Sequence, residues 1–571
     1  MRSGSRVVLA TALAVMVAVA AGCKKSSDQG QASGGAGPAV APDDDSAPSV
    51  TLVVAYSSEK KAWMQAEIAA FLATKPKLPS GKRIAIDAKS LGSGEAATAI
   101  LDGSLKAHVY SPASTAYLTV LNHGWMSNAA TPRTKPLAPT SEPLVLSPIV
   151  IAMWKPMAEA LGWPAKDLGW ADIIKISKDP AGWGALGHPE WGAFKLGHTH
   201  PEFSNSGLLA VLAEAYAGAK KTRGLDRADL DSATTKAFIA DVEQAIVHYG
   251  QSTSLFTDKM LERGPGYMSA AVSYENLVVE SYSKSGAPFP LVAIYPVEGT
   301  FWSDHPYAIL DAEWVGADEK AAAQAFLAHL KSRPAQERAL ALGFRPADPA
   351  VPIGAPLTAD HGVDASQPQT LLEVPGALVL DQLLTVWRAA KKPAQVTLVF
   401  DRSGSMQGEP LTAAKAGAGA FLDALGDRDE VSIVFFNDDV PPVPAPVALA
   451  KARPALHQAV DATFADGGTA LYDATAAAYA SMLSAAKRDH SRIYAVVVMT
   501  DGKDEHSKMS LDALRAKFSA ETSPVKIFTI AYGDNADPTV LERIAADGQG
   551  TSVVGSSATI VQVYRDLSTF F

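Results

Sequence analysis

Apolar runs alternate with helix-period stretches along most of this chain, in two separate blocks. From Val50, VTLVVAYSSEKKAWMQAEIAAFLA reads as a continuous apolar strand followed by a helix. The alternation continues to about Phe344, with helices predicted over SNSGLLAVLAEAYAGA and EKAAAQAFLAHLKS. Strands alternating with helices predict an α/β fold. Ala347 to Gln369 is rich in Pro and Ala, has no period, and reads as a boundary. PGALVLDQLLTVWRAAKKPA then predicts an amphipathic helix from about Pro375 to Ala390, packed on a neighbouring domain. A second α/β block begins near Ala394. Its strands QVTLVF, EVSIVFF, RIYAVVVM and VKIFTIAYG are separated by the helices EPLTAAKAGAGAFLDAL, TALYDATAAAYASMLSAA and SLDALRAKFSA. DPTVLERIAA and TIVQVYRDLSTFF close it with helices. Strands that are apolar throughout are covered on both faces, which predicts a doubly wound, Rossmann-like sheet.

The first 49 residues break the pattern. MRSGSR supplies two arginines, VVLATALAVMVAVAAG is an apolar run of small residues, and Cys23 follows. That order reads as a secretory signal. Lys24 to Ser49 is rich in Gly, Ser, Ala, Pro and Asp and reads as a flexible tether, with Asp43 to Asp45 as solvated charge. The stretch Ala20-Ala21-Gly22-Cys23 resembles a bacterial lipoprotein box, although that family prefers Leu where Ala20 stands. The resemblance implies cleavage before Cys23, lipidation of its thiol, and anchoring to a bacterial membrane on the periplasmic side or the cell surface. An ordinary signal with an incidental cysteine is the alternative. The expected organisation is a signal over 1–22, a tether over 23–49, a first domain over 50–346, a linker over 347–393 and a second domain over 394–571.

Composition narrows the partners. Cys23 is the only cysteine, which excludes an intrachain disulfide and a multi-cysteine zinc site. The net charge is −10, and no basic patch with interleaved aromatics occurs, so no nucleic-acid partner is expected.

Three patches of the last block share one chemistry. They are Asp401-Arg402-Ser403-Gly404-Ser405 after the first strand, Thr469 in DGGTALYD before a helix, and Asp501 in VVVMTDGKDE after a strand. Two carboxylates and three hydroxyls form a hard oxygen set suited to Mg²⁺, or to Ca²⁺ or Mn²⁺. In a sheet ordered 3-2-1-4-5-6, Asp401 and Asp501 end neighbouring strands if a short strand lies in PPVPAPVALA. The alternative is that Ser403 and Ser405 cap the next helix and Asp501 makes a turn. From about 394 to the end the sequence resembles the von Willebrand factor A family. Its metal-ion-dependent adhesion site matches at Asp401, Ser403, Ser405, Thr469 and Asp501. The resemblance implies that the serines bind the ion directly, the aspartates mostly through water, and that an acidic group of a protein partner takes the open position. Arg402 departs from the small or apolar residue often found there. Asp504, Glu505 and His506 read as an exposed loop rather than a second metal site. His198 and His200, with Glu202 as the only evident companion, read as a structured loop.

Residues 50 to about 345 resemble bacterial extracellular solute-binding proteins of the two-lobed, type 2 sort. VVAYSSEKKAWM, LGSGEAATAILDGSLKAHVYSPAS, PLVLSPIVIAMWK, HTHPEFSNSGLLAVLAEAY, GYMSAAVSYEN and PLVAIYPVEGTFWSDHPYAIL carry the resemblance by their order. It implies a crevice lined by Ser57, Ser58, Ser93, Ser111, Ser204, Asn205, Ser206 and Tyr274. Hydroxyls and free N–H groups at helix starts suit an oxyanion or carboxylate. The alternative is that each polar residue only caps its helix.

The expected function is an extracytoplasmic, lipid-anchored binding protein and not an enzyme. One domain captures a small solute or is a repurposed scaffold, and the other binds a divalent cation and a protein partner. A receptor feeding an ABC-type permease is the alternative. A metal-dependent hydrolase ranks last, because G-x-S-x-G, H-E-x-x-H and P-loop patterns are absent.

Overall fold

The computed structural model describes residues 48–128, 131, 133–518 and 523–571. The expected signal, Cys23 and the tether up to residue 47 lie outside the described residues. Among the described residues, no helix is long and apolar enough to cross a membrane.

Two sheets build the N-terminal region. The first is ordered Arg83–Leu91, Ser49–Ser57, Val109–Ser111, Pro306–Ile309, Glu142–Pro143. The second is ordered Trp302–Ser303, Val145–Trp154, Ala270–Tyr274, Leu196–Thr199, Ile246–Gly250, and Val145–Trp154 also pairs with Leu291–Ile294 and Arg345–Pro346. The chain crosses from the first sheet to the second at Leu144. It returns between Ser303 and Pro306, through His305 with φ +39°. These crossings lie within PLVLSPIVIAMWK and PLVAIYPVEGTFWSDHPYAIL, two of the stretches that carry the solute-binding resemblance. The first lobe has its own core of Val50, Leu52, Trp63, Phe71, Tyr307 and Phe326.

The third sheet is ordered Val447–Ala448, Glu430–Phe436, Ala394–Asp401, Ile493–Thr500, Val525–Tyr532, Gln549–Gly555. Numbered within this block it is 3-2-1-4-5-6, and the short third strand lies in PPVPAPVALA and runs antiparallel. The three central strands are buried at every position, as uninterrupted apolar runs require. Two elements are absent from the sequence reading. The edge strand Gln549–Gly555 offers only two large apolar side chains, and the helix Leu449–Ala462 carries Pro454 inside it.

The expected linker helix spans Ala377–Ala390 and buries Leu380, Leu383, Val386 and Trp387 along one face. It covers the helices of the second lobe on that face. The apolar core of the second lobe runs without a break through Trp387 to Val396, Leu398 and Tyr564 of the C-terminal block.

Candidate functional site

Asp401 is the last residue of the strand Ala394–Asp401, and Asp501 directly follows the neighbouring parallel strand Ile493–Thr500. The two carboxylates therefore stand side by side at the point where strand order reverses, where doubly wound sheets open their crevices. The Ser403 N–H donates to Asp401 Oδ1 at 2.7 Å, and Thr500 Oγ1 donates to Asp401 Oδ2 at 2.5 Å. Ser403 Oγ lies 3.0 Å from Ser405 Oγ, and Ser405 Oγ donates to Asp501 Oδ1 at 2.7 Å.

Thr469 arrives by a backbone zipper. The Gly404 N–H donates to the Gly467 carbonyl at 2.8 Å, and the Asp466 N–H donates to the Arg402 carbonyl at 2.8 Å. Gly467 takes φ +76°, and a Cβ on it would stand 2.1 Å from Asp438 Oδ1, so only glycine fits this turn. A Cβ on Gly502 would stand 3.2 Å from Thr469 Oγ1 and 3.8 Å from Ser405 Oγ. The missing side chain keeps open the space that these two hydroxyls border.

Neither serine caps a helix. Ser403 makes no side-chain cap, and the following helix begins at Glu409 with Gly408 before it. Burial pushes the Asp401 carboxyl up to about 6, opposed by hydrogen bonds from Thr500 and Ser403 and reinforced by the Asp501 charge. Burial also raises Asp501, opposed by Ser405. Two buried carboxylates on one face, with three hydroxyls and a kept-open space, fit a hard divalent cation. Those five residues would hold it, and the ion would supply a Lewis-acidic position to an oxygen ligand. Arg402 lies at the rim, with its guanidinium 5.7 Å from the ring of Phe464, which is 65% exposed. Asp504 is not free loop charge: its Oδ1 accepts from the Tyr472 N–H at 3.1 Å, at the start of the helix Leu471–Arg488.

The crevice residues of the N-terminal region also converge, but onto each other. Asn205 Oδ1 accepts from Ser114 Oγ at 2.5 Å, and its Nδ2 donates to Tyr274 OH at 3.1 Å. Ser206 Oγ lies 2.7 Å from Thr199 Oγ1 and 2.7 Å from Thr253 Oγ1, and Ser204 Oγ lies 3.3 Å from the latter. Ser93 Oγ accepts from the Ala113 N–H at 3.0 Å. Ser58 is half-buried in the turn after the first strand. At the start of the helix Ser93–Leu101, the N–H groups of Gly94 and Glu95 donate to the Phe203 carbonyl at 2.9 and 3.2 Å. The anion position of that helix is thus filled by a carbonyl of the opposite lobe.

Three ionisable residues of this crevice are missed by the sequence reading. Lys60 is fully buried, and its ammonium donates to Ser57 Oγ at 2.7 Å and to the carbonyls of Ser111 and Pro112 at 2.9 Å. Glu59 Oε1 lies 3.2 Å from His305 Nδ1 and accepts from Ser57 Oγ. Burial alone would raise Glu59, yet the His305 hydrogen bond and the Lys60 charge outweigh it and hold the carboxyl below its ordinary value. Burial brings Lys60 down to about 8 against the pull of Glu59, and burial with the Lys60 charge brings His305 down to about 4. At neutral pH the crevice floor is a Glu59–Lys60 pair beside a neutral imidazole. The only sequence signal was the EK that follows Ser57-Ser58, and it reads as a solvated helix start.

The fold defines a class first: a two-lobed, hinged α/β binding domain joined to a doubly wound domain with an oxygen-rich site at its switch point. Residues 52–345 match the family of bacterial extracellular solute-binding proteins, and residues 395–566 match the von Willebrand factor type A domain. The first match spans just over half of the chain, and the chain belongs to the bacterial extracellular solute-binding protein family. An uncharacterized protein of Synechocystis sp. is 28% identical over 214 residues, covering 37% of this chain and 49% of that protein. The voltage-dependent calcium channel subunit alpha-2/delta-3 of Rattus norvegicus is 29% identical over 171 residues, covering 28% of this chain and 15% of the subunit. The chain thus spans half or less of the length of these curated relatives. Among solved structures, the sulfate-binding protein SubI from Mycobacterium tuberculosis is 19% identical with a TM-score of 0.35, covering 53% of this chain and 88% of that one. A von Willebrand factor type A protein from Catenulispora acidiphila is 24% identical with a TM-score of 0.27, covering 31% of this chain and 42% of that one. The two family matches together support an extracytoplasmic binding protein.

Proposed function

We propose that this chain is a lipid-anchored binding protein whose C-terminal domain holds a divalent cation, Mg²⁺ first, through Asp401, Ser403, Ser405, Thr469 and Asp501. Through that ion it engages a carboxylate of a partner protein. The observation that carries the reading is the contact of Ser405 with both Ser403 and Asp501, which draws donors from distant parts of the sequence into one hard-oxygen cluster. The Arg402–Phe464 rim suits a partner with acidic and apolar groups side by side. Anchoring through Cys23 keeps the site at a membrane face. In the N-terminal domain, the N–H groups of Gly94 and Glu95 are engaged by Phe203 and most crevice hydroxyls by one another, with the Ser111 hydroxyl as the exception among the described residues, which supports a repurposed scaffold over a solute receptor.

Calorimetric titration of the full chain with Mg²⁺ tests the metal claim. About one Mg²⁺ is expected to bind per chain, and Asp401→Ala is expected to abolish the heat. Equal binding in the two proteins would sink the reading.

A further inference from the structure

His198 lies in the strand Leu196–Thr199, Glu214 in the helix Asn205–Ala219, and Glu243 at the end of the helix Ala233–Glu243. The three are fully buried, and one ligand atom from each lies within 4.8 Å of the others. Glu202 is the only acidic companion of His198 evident in the sequence. The companions instead come from two helices distant in sequence. His198 and His200 do not act together: His200 Nε2 lies 4.0 Å from Glu202 Oε2, and its ring packs edge-on against Trp387.

We propose that His198, Glu214 and Glu243 form a buried site for a divalent transition ion of the zinc kind, separate from the cluster around Asp401.

The hydrogen bonds of the imidazole fix its tautomer. His198 Nδ1 lies 2.7 Å from the Thr199 carbonyl oxygen, and a carbonyl only accepts, so Nδ1 carries the proton. In the neutral ring, Nε2 then presents a lone pair to Glu243 Oε1 at 3.0 Å. Lone pair against carboxylate is repulsive unless a proton or a metal ion stands between them. An imidazole whose other N–H is tied to a backbone carbonyl is the usual arrangement of a metal-bound histidine.

Both carboxylate oxygens of Glu214 are buried and have no hydrogen-bond partner among the described residues. A proton satisfies such a group poorly: the resulting O–H finds no acceptor, and the second oxygen finds no donor. A cation satisfies both oxygens at once. The charge also closes, since two carboxylates and a neutral imidazole balance one divalent ion.

Glu243 is held in place as a ligand should be. Its Oε2 accepts from Tyr249 OH at 2.6 Å, and its Oε1 accepts from Trp387 Nε1 at 3.0 Å. One imidazole nitrogen with carboxylate oxygens favours zinc over the hard ions suited to the Asp401 cluster. The three residues give three protein ligands, the number an open zinc site takes, with Glu214 able to bind through one oxygen or both. Zinc bonds of ~2.0–2.2 Å set ligand atoms of different residues roughly 3.3 Å apart, so the three side chains, whose atoms lie within 4.8 Å of one another, would draw in around the ion. Because Trp387 belongs to the linker helix, such an ion would fasten that helix to the second lobe.

The experiment uses the full chain carrying Asp401→Ala, so that the C-terminal cluster contributes no ion. The protein is stripped with a chelator, exposed to Zn²⁺, desalted and assayed for metal. About one zinc per chain is expected, with a rise in melting temperature reversed by the chelator and a change in tryptophan fluorescence from Trp387. Adding Glu214→Gln, which keeps the side-chain shape, is expected to remove the bound zinc and the thermal shift. If that variant does not fold, Co²⁺ replaces Zn²⁺ in the Asp401→Ala protein, and visible absorption of a low-coordinate site with a nitrogen ligand is expected. No zinc uptake overturns the proposal, as does uptake unchanged by Glu214→Gln. A Glu214→Gln protein that is more stable than its parent, with no metal in either, shows a site built for a proton or a water and also overturns it.

Discussion

Ser405 Oγ donates to Asp501 Oδ1 at 2.7 Å across a sequence separation of 96 residues. A hydroxyl has one proton, so this bond leaves the lone pairs of Ser405 for Ser403, 3.0 Å away, or for a cation. Ser405 is exposed and packs little. Ser405→Ala is therefore expected to weaken Mg²⁺ binding by about 10- to 100-fold. Its effect on stability should stay within about 0.5–1 kcal/mol, as for other exposed hydroxyls. Calorimetry and thermal melting of the same preparation check both halves. A large loss of stability would mean that the residue serves the fold instead.

The contact between lobes rests on glycine. A Cβ on Gly94 would stand 2.1 Å from the Glu202 carbonyl oxygen and 2.7 Å from Tyr117 OH, and the first of these is backbone and cannot swing aside. Gly94→Ala is expected to hold the lobes apart and free the N–H groups now given to Phe203. Small-angle scattering should show a larger radius of gyration. Sulfate, as an oxyanion probe, should raise the melting temperature of the variant more than that of the wild type. Equal sulfate responses would mean that the Phe203 carbonyl does not occupy an anion position.

Arg345 and Glu275 form a bidentate pair at 2.8 and 2.6 Å, with side chains 5% and 0% exposed. Arg345 NH1 also donates to the Ala365 carbonyl at 2.8 Å, tying the linker to the second lobe. Arg345→Met leaves a buried carboxylate without its partner and is expected to cost about 3–5 kcal/mol. Adding Glu275→Gln removes the stranded charge and should recover part of that loss. Urea unfolding midpoints of the two variants measure the difference. No recovery would place the cost in lost packing on Trp302, whose ring lies 4.9 Å from the guanidinium.

Legibility of the sequence followed the locality of each signal. The strands before Asp401 and Asp501 are apolar runs ending in a polar turn, so these elements can be read from the pattern, while the choice of the five oxygen donors rests on the resemblance to the von Willebrand factor A family. The edge strand Gln549–Gly555 is half polar and contains two glycines, so nothing in it distinguishes strand from loop. Lys60 and Glu59 look like solvated charge because their burial depends on His305, some 245 residues away. Glu214 and Glu243 each sit in an ordinary helix, and only the packing of those helices on the strand of His198 brings the three together. Sequence exposes a site when its residues punctuate strand ends, and hides one that is assembled inside the core.

Lys526 gives the fold a pH dependence of definite sign. It is 7% exposed in the strand Val525–Tyr532, donates to Gln549 Oε1 at 2.6 Å, and lies 5.0 Å from the ring of Tyr267 in the N-terminal domain. Burial, with Lys195 and Arg263 nearby, brings its ammonium down to about 7. In the unfolded chain a lysine titrates near ~10.4. Between these values the unfolded state binds more protons than the folded state, so this residue makes stability rise with pH from about 7 towards 10. Below about pH 7 both states are protonated, the slope vanishes, and the cost of the buried charge is felt in full. Lys526→Met removes that cost. It is expected to be more stable than wild type at about pH 6, by an amount on the order of a few kcal/mol, with the advantage shrinking steadily up to about pH 9. Melting curves of both proteins across that range measure the gap. Parallel curves would show that the ammonium is solvated or paired well enough to keep its ordinary affinity for a proton.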